Sequence, residues 1–182
     1  MDTPRHKIFI SYYHNEDQKY KDKLELMLGK EYAISRSVQI GDINPNNNTE
    51  YTRQLIRDNY LSDSSVTIVL IGKNTWKRKY VDWEIYSSMR DTIKNPRSGV
   101  IGIILPMRSD FGEGKGFNQY TIPPSLVDNI SNNFVKIYDW SNSPDFYKRI
   151  IHDAYDRKSK INPDLSRPMF ANNRSQEDER WW

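Results

Sequence analysis

The chain has 182 residues, the size of one ordinary domain with a short extension. Its 27 basic and 24 acidic side chains are interspersed and leave a net charge of +3, so the composition calls for neither a nucleic-acid nor a membrane partner. The absence of cysteine excludes disulfides, thiolate nucleophiles and cysteine-based metal sites, and it favours a reducing, cytoplasmic compartment.

Apolar runs of strand length alternate with amphipathic segments along the chain. Four runs rich in β-branched residues predict buried strands at residues 8–10, 66–71, 100–105 and 134–138. A weaker run at residues 37–40 predicts an edge strand. Apolar residues repeated every three or four positions predict helices at about 15–29, 49–60, 80–91 and 144–154, the first capped by Asn15 and the last by Ser143. This alternation predicts an α/β fold in which a parallel sheet of about five strands carries helices on both faces.

The predicted topology places three loops at one edge of the sheet. In open parallel sheets, ligands bind in the crevice beyond the carboxyl ends of the strands. The segments that follow the predicted strands at that edge are Ser11–Asn15, Gly41–Asn48 and Gly72–Lys79. We therefore expect the functional residues among these segments.

The apolar periodicity ends at about Ile161, which divides the chain into a domain over residues 1–160 and a polar C-terminal tail over residues 161–182. Such a composition buries too little surface to order itself alone, so we expect the tail to lie outside the crevice and to be dispensable for chemistry. Trp181 and Trp182 are unexpected in it. They are either exposed rings or an anchor that docks on this or another chain.

Two apparent motifs lack the context that their chemistry requires. The glycine-rich stretch Gly112–Gly116 is not followed by a predicted helix, so it is a loop rather than a phosphate-binding motif. The histidines His6, His14 and His152 lack the paired spacing of zinc ligands, so no metal site is predicted. His14 nevertheless falls in a crevice segment.

Two segments carry a resemblance to a known family. In Lys7–Asp17 a strand ends in Ser11 and Tyr12 and acidic residues follow, which resembles the first sequence box of TIR domains. Ser64–Ile85 contains an apolar strand, a polar loop with an aromatic residue, basic residues and Glu84. It is similar to the box that carries the glutamate of TIR-like proteins in bacterial Thoeris antiphage systems. Tyr80 stands where tryptophan is usual in this box.

The resemblance covers about residues 7–158 and implies a flavodoxin-like (TIR-like) fold and an NAD-cleaving enzyme. NAD would be the substrate and not a cofactor, and the products would be nicotinamide and a signalling nucleotide, either a cyclic ADP-ribose isomer or an ADP-ribose conjugate. The implied partners are further copies that self-associate through TIR surfaces, a separate nucleotide-sensing effector and a phage-derived trigger. The rival interpretation is a non-enzymatic TIR-like interaction module.

The same resemblance implies that Glu84 is the catalytic residue. Glu84 lies three residues after Val81, about 300° around the helix, so we expect it at the border of the buried face. A fixed carboxylate there can stabilise the positive charge that develops on ribose when nicotinamide leaves. The alternative is a solvated helix residue that pairs with Lys77 or Arg78.

Further residues of the same segments are candidates for substrate binding. Ser11 and Tyr12 are expected on the ribose or nicotinamide side, and Tyr80 lies one helical turn before the glutamate and can hold a planar ring. Asp42 is a candidate for a ribose contact, although its loop is equally compatible with a flexible lid or a self-association element. The basic residues Lys77 and Arg78 are candidates for a phosphate contact, with a solvated basic turn as the alternative.

Overall fold

A computed structural model of the protein describes residues 6–35, 38, 42–44, 46–112 and 116–182. Five parallel strands form one sheet in the order β2-β1-β3-β4-β5. The strands are β1 Lys7–Ser11, β2 Ala33–Ser35, β3 Val66–Ile71, β4 Gly99–Ile104 and β5 Val135–Asp139. The strand order reverses at β1, which creates a crevice between the carboxyl ends of β1 and β3. The predicted α/β class is confirmed.

Helices cover both faces of the sheet. They are α1 His14–Leu28, α2 Thr49–Asn59, α3 Lys79–Met89, the single turn α4 Pro124–Val127, and α5 Pro144–Arg157. Helices α1 and α5 pack on one face, whereas α2, α3 and α4 pack on the other. In the described part of the chain, no helix is both long and apolar enough to cross a membrane.

The predicted cap of α5 is confirmed, whereas the predicted cap of α1 is not. The Ser143 side chain accepts a hydrogen bond from the Phe146 amide and caps α5, as expected. Helix α1 begins after Tyr13 and has no side-chain cap. The predicted Asn15 cap is therefore wrong, because Asn15 already lies inside the first helical turn.

The edge strand also differs from its prediction. It is Ala33–Ser35, paired with β1 through Lys7 and Ile8, rather than residues 37–40. Of that predicted stretch only Val38 lies among the described residues, and it is not in a strand. An edge strand has one neighbour and needs few apolar residues, so its sequence signal is weak. Residues 113–115 of the glycine-rich stretch also lie outside the described residues.

Strand β1 points its side chains to two different layers. Ile8 and Ile10 pack in the core beneath α1 and α5, and Phe9 packs in the core of the opposite face. Because side chains alternate along a strand, Ser11 shares the face of Phe9 and lies beneath α3. A fully buried hydroxyl is thereby placed under the helix that carries Glu84.

Residues 167–182, here called the C-terminal strap, lie against the domain. Arg167 donates two hydrogen bonds to the carboxylate of Asp128, at 2.6 and 2.8 Å. The Trp181 indole donates to the carbonyl of Gln119 at 2.9 Å, and the ring of Trp182 stacks on that of Tyr120. The Trp181 ring therefore docks on this chain, whereas Trp182 keeps 73% of its surface exposed. The division of the chain at residue 160 stays a prediction.

Candidate functional site

A cavity of ≈ 290 Å³ opens beyond the carboxyl end of β1. Its wall is formed by residues 12–15 after β1, Val38, residues 78–81 at the start of α3, Glu84 and Asn173 of the strap. Aromatic rings and cationic side chains thus surround one carboxyl group. The cavity lies at the switch point of the sheet, where the topology predicts a ligand.

Glu84 is buried, with 1% of its surface exposed. The Ser11 hydroxyl donates to its Oε2 at 2.5 Å, and the Val38 amide donates to its Oε1 at 3.0 Å. Burial raises the pKa of Glu84 to about 8 even though both hydrogen bonds act to lower it. The expectation of a residue at the border of the buried face is therefore wrong, and so is the alternative of a solvated residue paired with Lys77 or Arg78.

Helix α3 is buried on every side from Val81 to Met89. The sheet covers one side, and the strap covers another, because the Trp83 indole donates to the Phe170 carbonyl and the Phe170 amide donates to the Asp82 carboxylate, both at 2.7 Å. Burial raises the pKa of Asp82 to about 7. Asp82 is therefore a contact residue of the strap and not an exposed neighbour of Glu84.

The start of α3 forms a basic end of the cavity. The Arg78 guanidinium lies over the ring of Tyr13 at 4.6 Å, and its buried Nε and Nη2 atoms have no hydrogen-bond partner among the described residues. The Lys79 backbone amide donates to Oδ1 of Asn173 at 2.9 Å. Lys77 turns away, since its ammonium donates to the Gln176 carbonyl at 2.7 Å. Arg78 and the neighbouring helix start thus offer hydrogen-bond donors to an anion.

The loop between β3 and α3 is held by a buried carboxyl group. The Thr75 hydroxyl donates to Asp17 and accepts from the Gly72 amide. A Cβ atom on Gly72 would lie 2.5 Å from the Asp17 carboxylate oxygens, so a side chain at this position would force the carboxyl group or the loop to move. Burial raises the pKa of Asp17 to about 6. This contact fixes the start of α1 against the loop that leads to Arg78.

The predicted site residues divide into three groups. Four of them line the cavity, namely Tyr12, Arg78, Tyr80 and Glu84. Ser11 contacts the carboxyl group from the sheet side. Asp42 is exposed and, like Lys77, is not part of the cavity wall in the described part of the chain. Substrate contacts by any of them stay predictions.

The cavity wall also contains residues that were not candidates from the sequence, Val38 and Asn173 among them. Val38 lies in a stretch that was predicted to be an edge strand. Only the folded structure brings its backbone amide within hydrogen-bonding distance of the Glu84 carboxyl group. Asn173 lies in a polar segment without periodicity, and nothing local marks it. The expectation that residues 161–182 stay outside the crevice is wrong, because Asn173 lines the cavity.

The sequence of the chain matches the family model described as "Thoeris protein ThsB, TIR-like domain" over residues 9–110, more than half of its length. The chain belongs to this family. The matched region of the ThsB TIR-like domain contains Ser11, Glu84 and the basic residues before α3, whereas the strap lies beyond it. No match was found among curated proteins.

Proposed function

We propose that this ThsB TIR-like domain cleaves NAD into nicotinamide and an ADP-ribose-derived signalling nucleotide in antiphage defence, with Glu84 as the catalytic residue. The observation that supports the proposal is the position of Glu84, a carboxyl group buried against Ser11 in the wall of a cavity at the switch point. The cytoplasmic location expected from the lack of cysteine stays a prediction.

The proposed reaction breaks the bond between the ring nitrogen of nicotinamide and C1 of the ribose attached to it. The electron pair of that bond stays on nicotinamide, which leaves as a neutral molecule and needs no acid. Positive charge develops on the ribose, and an ionised Glu84 stabilises it. The acceptor then attacks C1 and loses a proton. Water gives ADP-ribose, a hydroxyl or ring nitrogen of the same molecule gives a cyclic product, and a bound amino acid gives a conjugate.

The charge state of Glu84 links substrate binding to activation. Because burial raises the pKa of this carboxyl group to about 8, it is largely protonated at neutral pH. The nicotinamide ring of NAD carries a positive charge, and a cation beside a carboxyl group favours the ionised form. A largely neutral carboxyl group would make the resting protein weakly active. We further propose that self-association and a phage-derived trigger activate it and that a separate effector reads the product.

The dimensions of the cavity determine which part of NAD it holds. A volume of ≈ 290 Å³ lies at the lower end of the range for small-molecule sites, so we assign it to the nicotinamide and its ribose. Tyr12 and Tyr80 contact the planar ring in this arrangement, and Arg78 contacts a phosphate. We assign Asp42 to the assembled form, in which the loop of a neighbouring copy completes the pocket.

Nicotinamide release from NAD by the purified protein, with and without infected-cell extract, tests the proposal. Glu84→Gln keeps the shape of the side chain but removes its charge, so turnover falls by about 10² to 10⁴-fold, equivalent to roughly 3 to 5 kcal/mol of barrier. The matched control is Glu16→Gln, an exposed residue near the cavity whose contact is the Asn74 amide. It retains turnover within about twofold.

Two outcomes would contradict this assignment. If both variants lose turnover equally, the effect is general electrostatics and not a catalytic role. If Glu84→Gln remains folded and cleaves NAD at the wild-type rate, the catalytic residue is wrong and the non-enzymatic interaction module becomes the better interpretation.

A further inference from the structure

The C-terminal strap makes its contacts with the catalytic helix at the end nearest the cavity. The Arg174 amide donates to the Lys77 carbonyl at 2.8 Å, directly before α3, and Phe170 is held between Asp82 and Trp83. These contacts lie on both sides of Asn173. The strap therefore fixes the position of Asn173 relative to the cavity.

The two polar atoms of the Asn173 side-chain amide, Oδ1 and Nδ2, differ in their contacts. Its Oδ1 accepts from the Lys79 amide, which caps a helix start where Arg78 supplies no side-chain cap. Among the described residues, no acceptor lies within hydrogen-bonding distance of its Nδ2. Asn173 is an exposed residue on the cavity wall, and the Oδ1 contact favours one orientation of its amide, which leaves Nδ2 as a donor at this wall.

The neighbouring groups at this end define the kind of ligand atom that Nδ2 would meet. The buried Nε and Nη2 atoms of Arg78 have no partner in the part of the chain that the structure describes, and Lys79 lies on the same wall. All of these groups donate hydrogen bonds and two are cationic. The chemistry that satisfies them together is a phosphate oxygen.

We propose that Asn173 is a substrate-positioning residue, and that its amide donates from Nδ2 to a phosphate oxygen of the bound dinucleotide while Oδ1 caps α3. This proposal rests on the proposed function for the identity of the dinucleotide. It makes the strap a permanent wall of the binding site, so that a segment beyond the family match contributes to recognition.

Two substitutions separate the capping role from the binding role. Asn173→Asp and Asn173→Ser both keep an oxygen that can accept from the Lys79 amide, and both remove the Nδ2 donor, although the shorter serine side chain retains a hydroxyl donor. Asn173→Asp also places a negative charge beside the phosphate, whereas Asn173→Ser leaves the charge unchanged. The matched control is Asn172→Asp, which adds the same charge at the adjacent exposed residue that does not line the cavity.

The test is calorimetric titration of the full-length chain and its variants with ADP-ribose, which has the pyrophosphate of NAD and is not cleaved. Asn173→Asp should weaken binding by about 10 to 100-fold and Asn173→Ser by about 3 to 10-fold. Asn172→Asp should bind like the wild type. The melting temperatures of both Asn173 variants should stay within about 2 °C of the wild type, because the helix cap is retained.

Three results would overturn the proposal. Wild-type affinity in both Asn173 variants would leave Asn173 as a helix cap alone. Equal weakening in Asn172→Asp would show a general charge effect. A wild-type chain that binds no ADP-ribose would mean that the cavity is not a dinucleotide site. If the wild type binds ADP-ribose, Asn173→Asp weakens it and NAD is never cleaved, then the proposed function fails while the role of Asn173 stands.

Discussion

At the scale of single residues, Glu84 shows how burial can outweigh hydrogen bonding. Two donors, the Ser11 hydroxyl and the Val38 amide, favour the ionised carboxylate, yet desolvation is larger and the pKa of Glu84 rises to about 8. Ser11 is buried beside it because strand alternation turns that hydroxyl toward α3. The Glu84 carboxyl group is therefore stable in its neutral form beside Ser11, and it can stabilise a positive charge only after it loses its proton.

This raised pKa makes the stability of the protein depend on pH at one residue. The unfolded carboxyl group ionises near pH 4.5 and the folded one near pH 8, so the folded state binds the extra proton between these values. Stability is therefore lost as pH rises through this window, at a rate on the order of 1 kcal/mol per pH unit. Glu84→Gln removes the titration, and its amide can accept from Val38 and donate to Ser11.

Denaturant unfolding of wild type and Glu84→Gln at pH 5, 7 and 9 measures the effect. Between pH 5 and pH 9, we expect the free energy of unfolding of Glu84→Gln to rise by about 1 to 3 kcal/mol relative to that of the wild type. Asp17 and Asp82 titrate in both proteins, so the difference isolates Glu84. A difference that is constant across this range would show that the folded carboxyl group has an ordinary pKa.

At the scale of elements, the sequence predicted α3 well and its surroundings poorly. Val81, Ile85 and Met89 recur every four residues, and this pattern placed the helix within about two residues of its observed ends. The pattern does not predict the burial of Asp82 and Trp83, which lie outside the apolar stripe. They are buried because residues near Phe170 cover them, and a contact between segments almost ninety residues apart leaves no local pattern.

The loop before α3 is the element that is most sensitive to a single added atom. In Gly72→Ala the new Cβ would lie 2.5 Å from the Asp17 oxygens, so the buried carboxyl group or the loop must move. We expect the free energy of unfolding to fall by about 1 to 3 kcal/mol, and the melting temperature by roughly 3 to 10 °C.

Gly116→Ala is the matched control for this prediction, because no described residue places an atom within 4 Å of a Cβ at Gly116. It should unfold like the wild type. If the clash with Asp17 is the cause, Asp17→Ala should remove most of the additional cost, so that the double variant with Gly72→Ala is less destabilised than the sum of the single variants. Strict additivity would place the cause elsewhere in the loop.

At the scale of the whole molecule, the parallel sheet and the place of Glu84 at the crevice could be predicted, whereas the completed cavity could not. The alternation of strands and helices predicts the crevice, and the two boxes supply Ser11 and Glu84. The polar composition after residue 160 indicates a segment that cannot order itself alone, and this remains compatible with the structure, since the strap is ordered by atoms of the domain. The composition of a segment predicts how it behaves alone. Its docking depends on which hydrogen-bonding groups the rest of the chain leaves without partners.

Removal of the strap should therefore destabilise the domain as well as open its site. A chain that ends at Lys160 leaves the Asp82 carboxylate, the Trp83 indole and the Lys77 ammonium without the partners that they have in the structure. Each lost hydrogen bond costs about 1 kcal/mol, and an unpaired buried group costs more. We expect the melting temperature to fall by roughly 6 to 12 °C and ADP-ribose binding to weaken at least as much as in Asn173→Ser.

Trp181→Ala, which loses only the distal anchor, should show less than half of the thermal shift and retain binding. A truncated chain with the melting temperature and affinity of the full chain would show that the domain and its cavity are complete without the strap.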